Sequence, residues 1–278
     1  MSGPAGGRLA HLSQRATRRA ASLTGRASPP ADEELRATPV PLPHPPPDAT
    51  GPDPTDPISA DPLAAYLYTY GAHPVPPELD PAWPMLLLRR AELSVRHDLA
   101  DHTRSSSPGW LSWTHTGADI TALVHKVYAS PTVAALPRAL PIIFATAIAE
   151  SVPAWKVGAT LQGIHRPDKV VLYLPNADDA DACAEALDRA LTGLPTHGVA
   201  FTGQVGSGIA SRGLDHGTIS WRALVCHALA QHLREARATL GGDSPPELVA
   251  TAALTALASS GYDTRSWRPA PTPLAVEP

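Results

Sequence analysis

The sequence predicts an α+β fold: a central antiparallel or mixed sheet flanked by helices, behind a disordered proline-rich N-terminal tail. Three observations carry this. Residues 110–174 are rich in aromatic and β-branched side chains broken by turn formers, which is the composition of strands. Segments with recognisable helix starts and stops lie on both sides of that middle. Ahead of them, twelve of the 32 prolines fall in the first 60 residues.

The stretch Pro39-Val40-Pro41-Leu42-Pro43-His44-Pro45-Pro46-Pro47 has too few large apolar side chains to offset the entropy of ordering. Residues 1–58 therefore read as a disordered or polyproline-like tail, 59–268 as one folded domain, and 269–278 as a second tail. Arg8, Arg15, Arg18, Arg19 and Arg26 precede the first acid, Asp32. No continuous apolar run follows the Arg18-Arg19 pair, so it reads as a solvated basic segment and not as an export signal.

Asp61-Pro62 supplies an N-cap and a first-turn proline for a helix over 63–70, ended by Gly71. Tyr66, Tyr68 and Tyr70 read as packing residues on it. Pro84 opens a second helix to about residue 99, where leucines alternate with Arg89, Arg90, Glu92 and Arg96. Strands are expected at 110–115, 120–128, 142–148, 154–161 and 169–174, with turns at Pro108-Gly109 and Gly117. A helix follows to about residue 191, its first turn holding Asp178, Asp179 and Asp181, which suits the helix dipole better than a metal. A short strand at 199–202, a glycine loop at 203–208, a long helix over 220–239 and a last helix from Pro245-Pro246 to Gly261 complete the chain.

Composition excludes several functions. A formal net charge of -4 offers no global attraction to nucleic acid or acidic membranes. The longest apolar run, 139–149, is broken by Pro141 and is shorter than the roughly 20 residues of a membrane span. Cys183 and Cys226 are too few for a disulfide framework and read as small core residues in a reducing, cytoplasmic compartment. There is no His-Glu-x-x-His helix, no Cys-x-x-Cys pair, no Gly-x-Ser-x-Gly elbow, and the 203–208 loop lacks the Lys-Ser/Thr ending of a phosphate loop. No metal or cofactor is expected, which leaves metal-free acid–base chemistry or binding alone.

One compositional fact discriminates. Of 22 basic residues only Lys126, Lys156 and Lys169 are lysine, and all three lie in the strand-rich middle. Lysine, unlike arginine, loses its proton when desolvated or crowded by cations, and then serves as base or nucleophile. Lys156 sits in Ala154-Trp155-Lys156-Val157-Gly158 between apolar neighbours, an unusual address for a surface charge. Lys169 opens a strand beside His165 and Arg166. The plain alternative for both is a lysine snorkelling at a sheet edge. Lys126, between His125 and Val127, reads as an ordinary exposed residue.

The ordered series Leu136-Pro137-Arg138-Ala139-Leu140-Pro141, Trp155-Lys156-Val157, Arg166-Pro167-Asp168-Lys169-Val170-Val171-Leu172-Tyr173, Phe201-Thr202, Ser220-Trp221 with Cys226, and Gly261-Tyr262-Asp263 resembles HopA-type effector/lyase proteins over roughly residues 61–268. That resemblance implies a lyase that removes phosphate from phosphorylated Ser or Thr of a ribosomally made precursor peptide, leaving dehydroalanine or dehydrobutyrine. It further implies a separate kinase-like partner, as in class V lanthipeptide-like and thioamide-containing pathways of actinobacteria, whose GC-rich genomes suit the Ala/Arg/Pro-rich composition.

β-Elimination needs a base for the α-proton, cations for the enolate-like charge, and an acid with cations for departing phosphate. The matching assignments are Lys156 as base, its pKa lowered by Arg166 and Lys169, and His165 as general acid. Arg166, Lys169 and Arg212 would grip phosphate, and Tyr173 would orient substrate or simply pack. One departure counts against the lyase reading: Leu224 and Val225 stand where many members of the resembled family carry a His-Arg pair before the position of Cys226, so that if the pair serves phosphate there, His227, Arg222 or His216 takes the role here or it is lost. The alternative is a non-catalytic subunit that binds precursor peptide or stabilises the kinase.

Overall fold

The structure, a computed structural model, describes residues 61–216 and 219–269. The tails expected over 1–58 and 269–278 lie outside these residues, Pro269 apart. The α+β expectation holds, with a sheet antiparallel throughout. Seven strands, β1 (His102–Ser107), β2 (Trp110–His115), β3 (His125–Ala129), β4 (Ala154–Gly158), β5 (Val170–Leu174), β6 (Gly203–Val205) and β7 (Ala210–Leu214), lie in the order β1-β2-β4-β5-β3-β7-β6. Around them pack α1 (Pro62–Thr69), α2 (Trp83–Ser94), α3 (Leu136–Ala149), α4 (Leu161–His165), α5 (Ala177–Ala190), α6 (Trp221–Leu240) and α7 (Pro246–Ser259).

Local chemistry sets most boundaries. The Asp61 carboxylate accepts from the amides of Leu63 and Ala64, and Pro62 stands in the first turn of α1. Asn176 and Ser220 cap α5 and α6 in the same way. The helix after Pro84 is shorter than expected, because the residues beyond Ser94 form turns.

Residues 142–148, expected as a strand, belong instead to α3. Buried Leu136, Ala139, Leu140, Ile143, Phe144 and Ala147 recur three and four positions apart, the spacing of one helix face. That period outweighs the β-branched composition and the internal Pro141. The strand expected at 199–202 is also absent. In its place the glycines form a hairpin, β6–β7, with Gly206 and Gly208 at φ 53° and 80° in its turn. Edge strand β1 was not anticipated, since His102-Thr103-Arg104-Ser105-Ser106-Ser107 is almost wholly exposed and has no apolar alternation.

One sheet face packs on α3 and α5. Its core centres on Trp113, Phe144 and Trp155, with ring centroids 4.8 Å apart for Trp113–Phe144 and 5.7 Å for Phe144–Trp155. The other face carries the lysines. The pairings Ser112↔Lys156, Lys156↔Val171 and Lys126↔Tyr173 place these side chains together by strand alternation. Lys169 extends the row begun by Tyr173 and Val171. Helix α6 covers the β3–β7 end of this face, Trp221 resting over Gly213, while α1 and α7 pack on α6.

The path from β4 to β5 depends on a close glycine pair. A Cβ on Gly158 would lie 2.5 Å from the carbonyl carbon of Gly163. Gly158→Ala is expected to destabilise the fold by about 1–3 kcal/mol, read as a lowered Tm in thermal unfolding; an unchanged Tm would mean that α4 shifts freely.

Candidate functional site

On the lysine-bearing face the strands floor a cleft of about 570 Å³, lined among others by Ser112, Thr114, Ile120, Lys156, Tyr173 and Asp215. Lys156 is half-buried on β4. Its Nζ lies 4.4 Å from the Trp110 ring centroid and 5.7 Å from that of Tyr173. Burial first, then the neighbouring Lys126 charge, lowers its pKa to about 8, with Arg166 adding to the effect and Asp168 and Asp215 opposing it.

Lys169, expected to depress Lys156, is not among the groups that do so. Lys126, expected to be exposed, is 7% exposed and forms a 2.5 Å ion pair with Asp215 while sitting 5.1 Å over the Tyr173 ring. Tyr173 thus stands between the two lysines, its hydroxyl kept protonated because burial raises its pKa.

Behind the cleft lies a charge network centred on Asp168, which is 4% exposed. Arg166 donates to it through Nε and Nη2, both at 2.8 Å. Arg222 of α6 approaches its Oδ2 through Nη1 at 2.8 Å and donates from Nη2 to the Tyr68 carbonyl at 2.6 Å. Burial alone would raise the Asp168 pKa; the two guanidiniums overcome it and hold the carboxyl well below the usual carboxylate range. Tyr68 lies under both, 4.6 Å from the Arg222 Cζ and 5.5 Å from that of Arg166. Arg166 has Nε and Nη2 taken by Asp168, and the Tyr68 side chain also acts on its guanidinium. Its guanidinium also stacks 5.3 Å from Trp110, the ring that Lys156 shares.

Lys169 and His165 fall elsewhere. Lys169 is fully buried, its Nζ 2.8 Å from His197 Nδ1 and 3.4 Å from Ser130 Oγ. His197 Nε2 stands 2.5 Å from the Gly71 carbonyl and so carries the proton, leaving Nδ1 to accept from Lys169. Burial lowers the Lys169 pKa to about 7 and that of His197 to about 4. The His165 ring is buried with Nδ1 2.7 Å from the Leu161 carbonyl. Arg212 faces the opposite side of the sheet and pairs with Asp181 of α5. Lys156, Arg166 and Tyr173 therefore come together, whereas Lys169 and His165 join a neighbouring buried cluster and Arg212 is remote.

Asp168 was given no role of its own from sequence, and Tyr68, Trp110, Lys126 and Asp215 were not singled out as members of the site, although Arg222 was one of three residues considered for the role left open by Leu224 and Val225. In α6, Val225 and Cys226 are fully buried, and Arg222, one turn earlier than Cys226, is the residue that reaches Asp168. Among the described residues no group of His, Cys, Asp and Glu is placed to hold a metal ion, and no helix is long and apolar enough to cross a membrane.

Fold and site together define an α+β protein with a cleft on one face of an antiparallel sheet, lined by Lys156, Tyr173 and Asp215. No protein-family model matches the chain, and no curated protein matches it in sequence. Some solved structures are similar. The type III effector/phosphothreonine lyase OspF from Shigella flexneri shares 12% identity at a TM-score of 0.37, over 54% of this chain and 86% of its own. The phosphothreonine lyase effector VirA (SpvC) of Chromobacterium violaceum shares 15% at 0.35, over 44% and 68%. An effector protein from Pseudomonas syringae pv. syringae strain 61 shares 13% at 0.46, over 73% and 86%.

Proposed function

We propose that the chain is a phospho-Ser/Thr lyase that eliminates phosphate from a phosphorylated ribosomal precursor peptide, working in the cytoplasm beside a separate kinase. The observation that carries this reading is Lys156, a half-buried amine with pKa lowered to about 8, opening on a cleft that Tyr173 also lines. The reading rests on these residues and on the ordered sequence motifs, not on the likeness to solved structures.

In the proposed reaction the neutral Lys156 Nζ takes the α-proton. The electron pair of that C–H bond becomes the Cα–Cβ double bond as the Cβ–O bond breaks, and phosphate leaves with the bonding pair. Lys126 stabilises the developing enolate-like charge through the field that also depresses Lys156. Arg166, whose Nη1 is not used by Asp168, takes a phosphate oxygen. Tyr173, protonated and lining the same cleft, replaces His165 as donor to the bridging oxygen. Asp168, Arg222 and Tyr68 hold Arg166 in place.

The pH dependence follows from the sign of the shift. Lys156 is active when deprotonated, so kcat/KM should climb as pH rises toward about 8 and level off above it; a rate already flat from pH 6 upward would remove Lys156 as the base. The function itself is tested by incubating the full chain with a phosphothreonyl precursor peptide and following loss of phosphoric acid by mass spectrometry. A dehydrated product is expected. No product, even with the kinase partner added, would leave the peptide-binding subunit as the surviving reading.

A further inference from the structure

A second concave site lies at the end of the sheet, outside the lysine cleft. It encloses about 580 Å³ between the chain entering β6 and the segment after α7, and its lining includes Tyr70, Phe201, Thr202, Arg265, Trp267 and Arg268. That volume is within the range of small-ligand and side-chain pockets, roughly 300–1,000 Å³.

The pocket is built, not incidental. Phe201 and Trp267 have φ of 62° and 53°, two of only three non-glycine residues with left-handed φ among the described residues. Side chains of this size avoid that region unless the surroundings enforce it, and such positions concentrate at binding sites. Here the surroundings are specific. The Phe201 carbonyl accepts from Trp221 Nε1 at 2.9 Å, and the Phe201 and Trp267 rings meet edge to face at 5.2 Å. Gly203 lets the Arg268 backbone close over β6, since a Cβ there would lie 3.1 Å from the Arg268 Cα. The result is an aromatic floor under two exposed guanidiniums.

The charged side chains of the lining itself are both arginines. No carboxylate lines the pocket, and neither Arg265 nor Arg268 makes an ion pair among the described residues. The nearby Asp263 carboxylate accepts from the Ser266 hydroxyl and the amides of Arg265 and Ser266, and its charge also acts on Arg265 from outside the lining. An aromatic floor accepts a large apolar side chain, and paired arginines at the rim select carboxylates.

We infer that this pocket binds an acidic peptide segment carrying at least one large apolar side chain, a docking site separate from the cleft where chemistry occurs. Identifying that segment with an unreacting stretch of the lyase's own substrate rests on the proposed function; the binding does not. In that setting the pocket holds the peptide while different Ser and Thr residues visit Lys156, and the gain is one of effective concentration.

The test uses the full chain and a fluorescein-labelled, unphosphorylated decapeptide alternating Asp or Glu with Leu and Phe, followed by fluorescence anisotropy at low ionic strength. Wild type is expected to bind, and Arg265→Glu/Arg268→Glu, both at exposed positions, to bind about tenfold or more weakly. A peptide with amides in place of the acids should bind as weakly as that variant. Lys156→Ala should bind the peptide normally while losing elimination, so failure of docking and failure of the lyase reading give different results. The inference is overturned if wild type does not bind, or if the double variant or the amide peptide binds equally well. It is overturned too if free glutamate at peptide concentration displaces the probe, which would make this a small-anion site. Binding that appears only after removal of residues 270–278 would assign the pocket to the chain's own C-terminal segment.

Discussion

Lys156→Ala is expected to lower the rate of phosphate elimination by about 10²–10⁴-fold while leaving the protein folded. The side chain is half-buried and makes no ion pair among the described residues, so its removal leaves no charged partner stranded in the core. Lys156→Arg should be as inactive as Lys156→Ala, because a guanidinium does not deprotonate in the working range. A small primary amine added to Lys156→Ala should restore part of the rate, as it supplies the missing base through the open cleft. The measurement is the rate of dehydrated product by mass spectrometry at pH 8 for the three proteins, with and without amine. Full activity in Lys156→Arg would show that the position supplies charge and not a base.

Asp168→Asn should have the largest effect on stability. Asp168 joins two guanidiniums, and Arg222 is 1% exposed. Removing the carboxylate leaves Arg222 charged and buried without its counterion, a change that typically costs about 3–5 kcal/mol. Urea unfolding should report a lowered midpoint with little change in slope. Arg222→Leu should be damaging for the converse reason, and the two substitutions together should cost less than their sum, because they remove the same interaction. Independent, additive losses would show that Asp168 and Arg222 do not act as a pair.

The same network fixes the sign of an acid effect. The folded pKa of Asp168 is depressed below that of an unfolded aspartate, which is about 3.9. Its contribution is therefore fully present above that unfolded value and is lost as pH falls toward the folded one. Wild type should lose stability below about pH 4 more steeply than Asp168→Asn, with the two curves converging in strong acid.

The sequence made the α+β class legible because caps, turn formers and strand composition agreed for most elements. It misled where two local signals conflicted. In α3 the β-branched run Ile142-Ile143 pointed to a strand, while the buried set from Leu136 to Ala147 has helical spacing. Counting the period over the whole segment resolves that conflict. Strand β1 gave no signal, because an exposed edge strand needs no apolar face.

At the site, the rarity of lysine pointed to Lys156, which is half-buried, and the quoted motif from Arg166 to Tyr173 contains its neighbours Arg166 and Asp168. The sequence could not rank them. Whether a basic side chain faces a cleft or a sealed pocket depends on what covers its strand, and the cover comes from distant segments. The His197 loop encloses Lys169, and α6 brings Arg222 to Asp168. Lys126 was misread for the same reason: its partner Asp215 is 89 positions further along the chain, and no periodicity relates them.

Because the chain has only three lysines, the state of the proposed base can be observed directly. Uniform labelling with [ε-13C]lysine should give three resonances, the one lost in Lys156→Arg identifying Lys156. This resonance should titrate with a midpoint near the value of about 8 set by burial and Lys126, leaving a usable fraction of free amine near neutral pH. A midpoint of about 10.4, that of a solvated lysine, would contradict it.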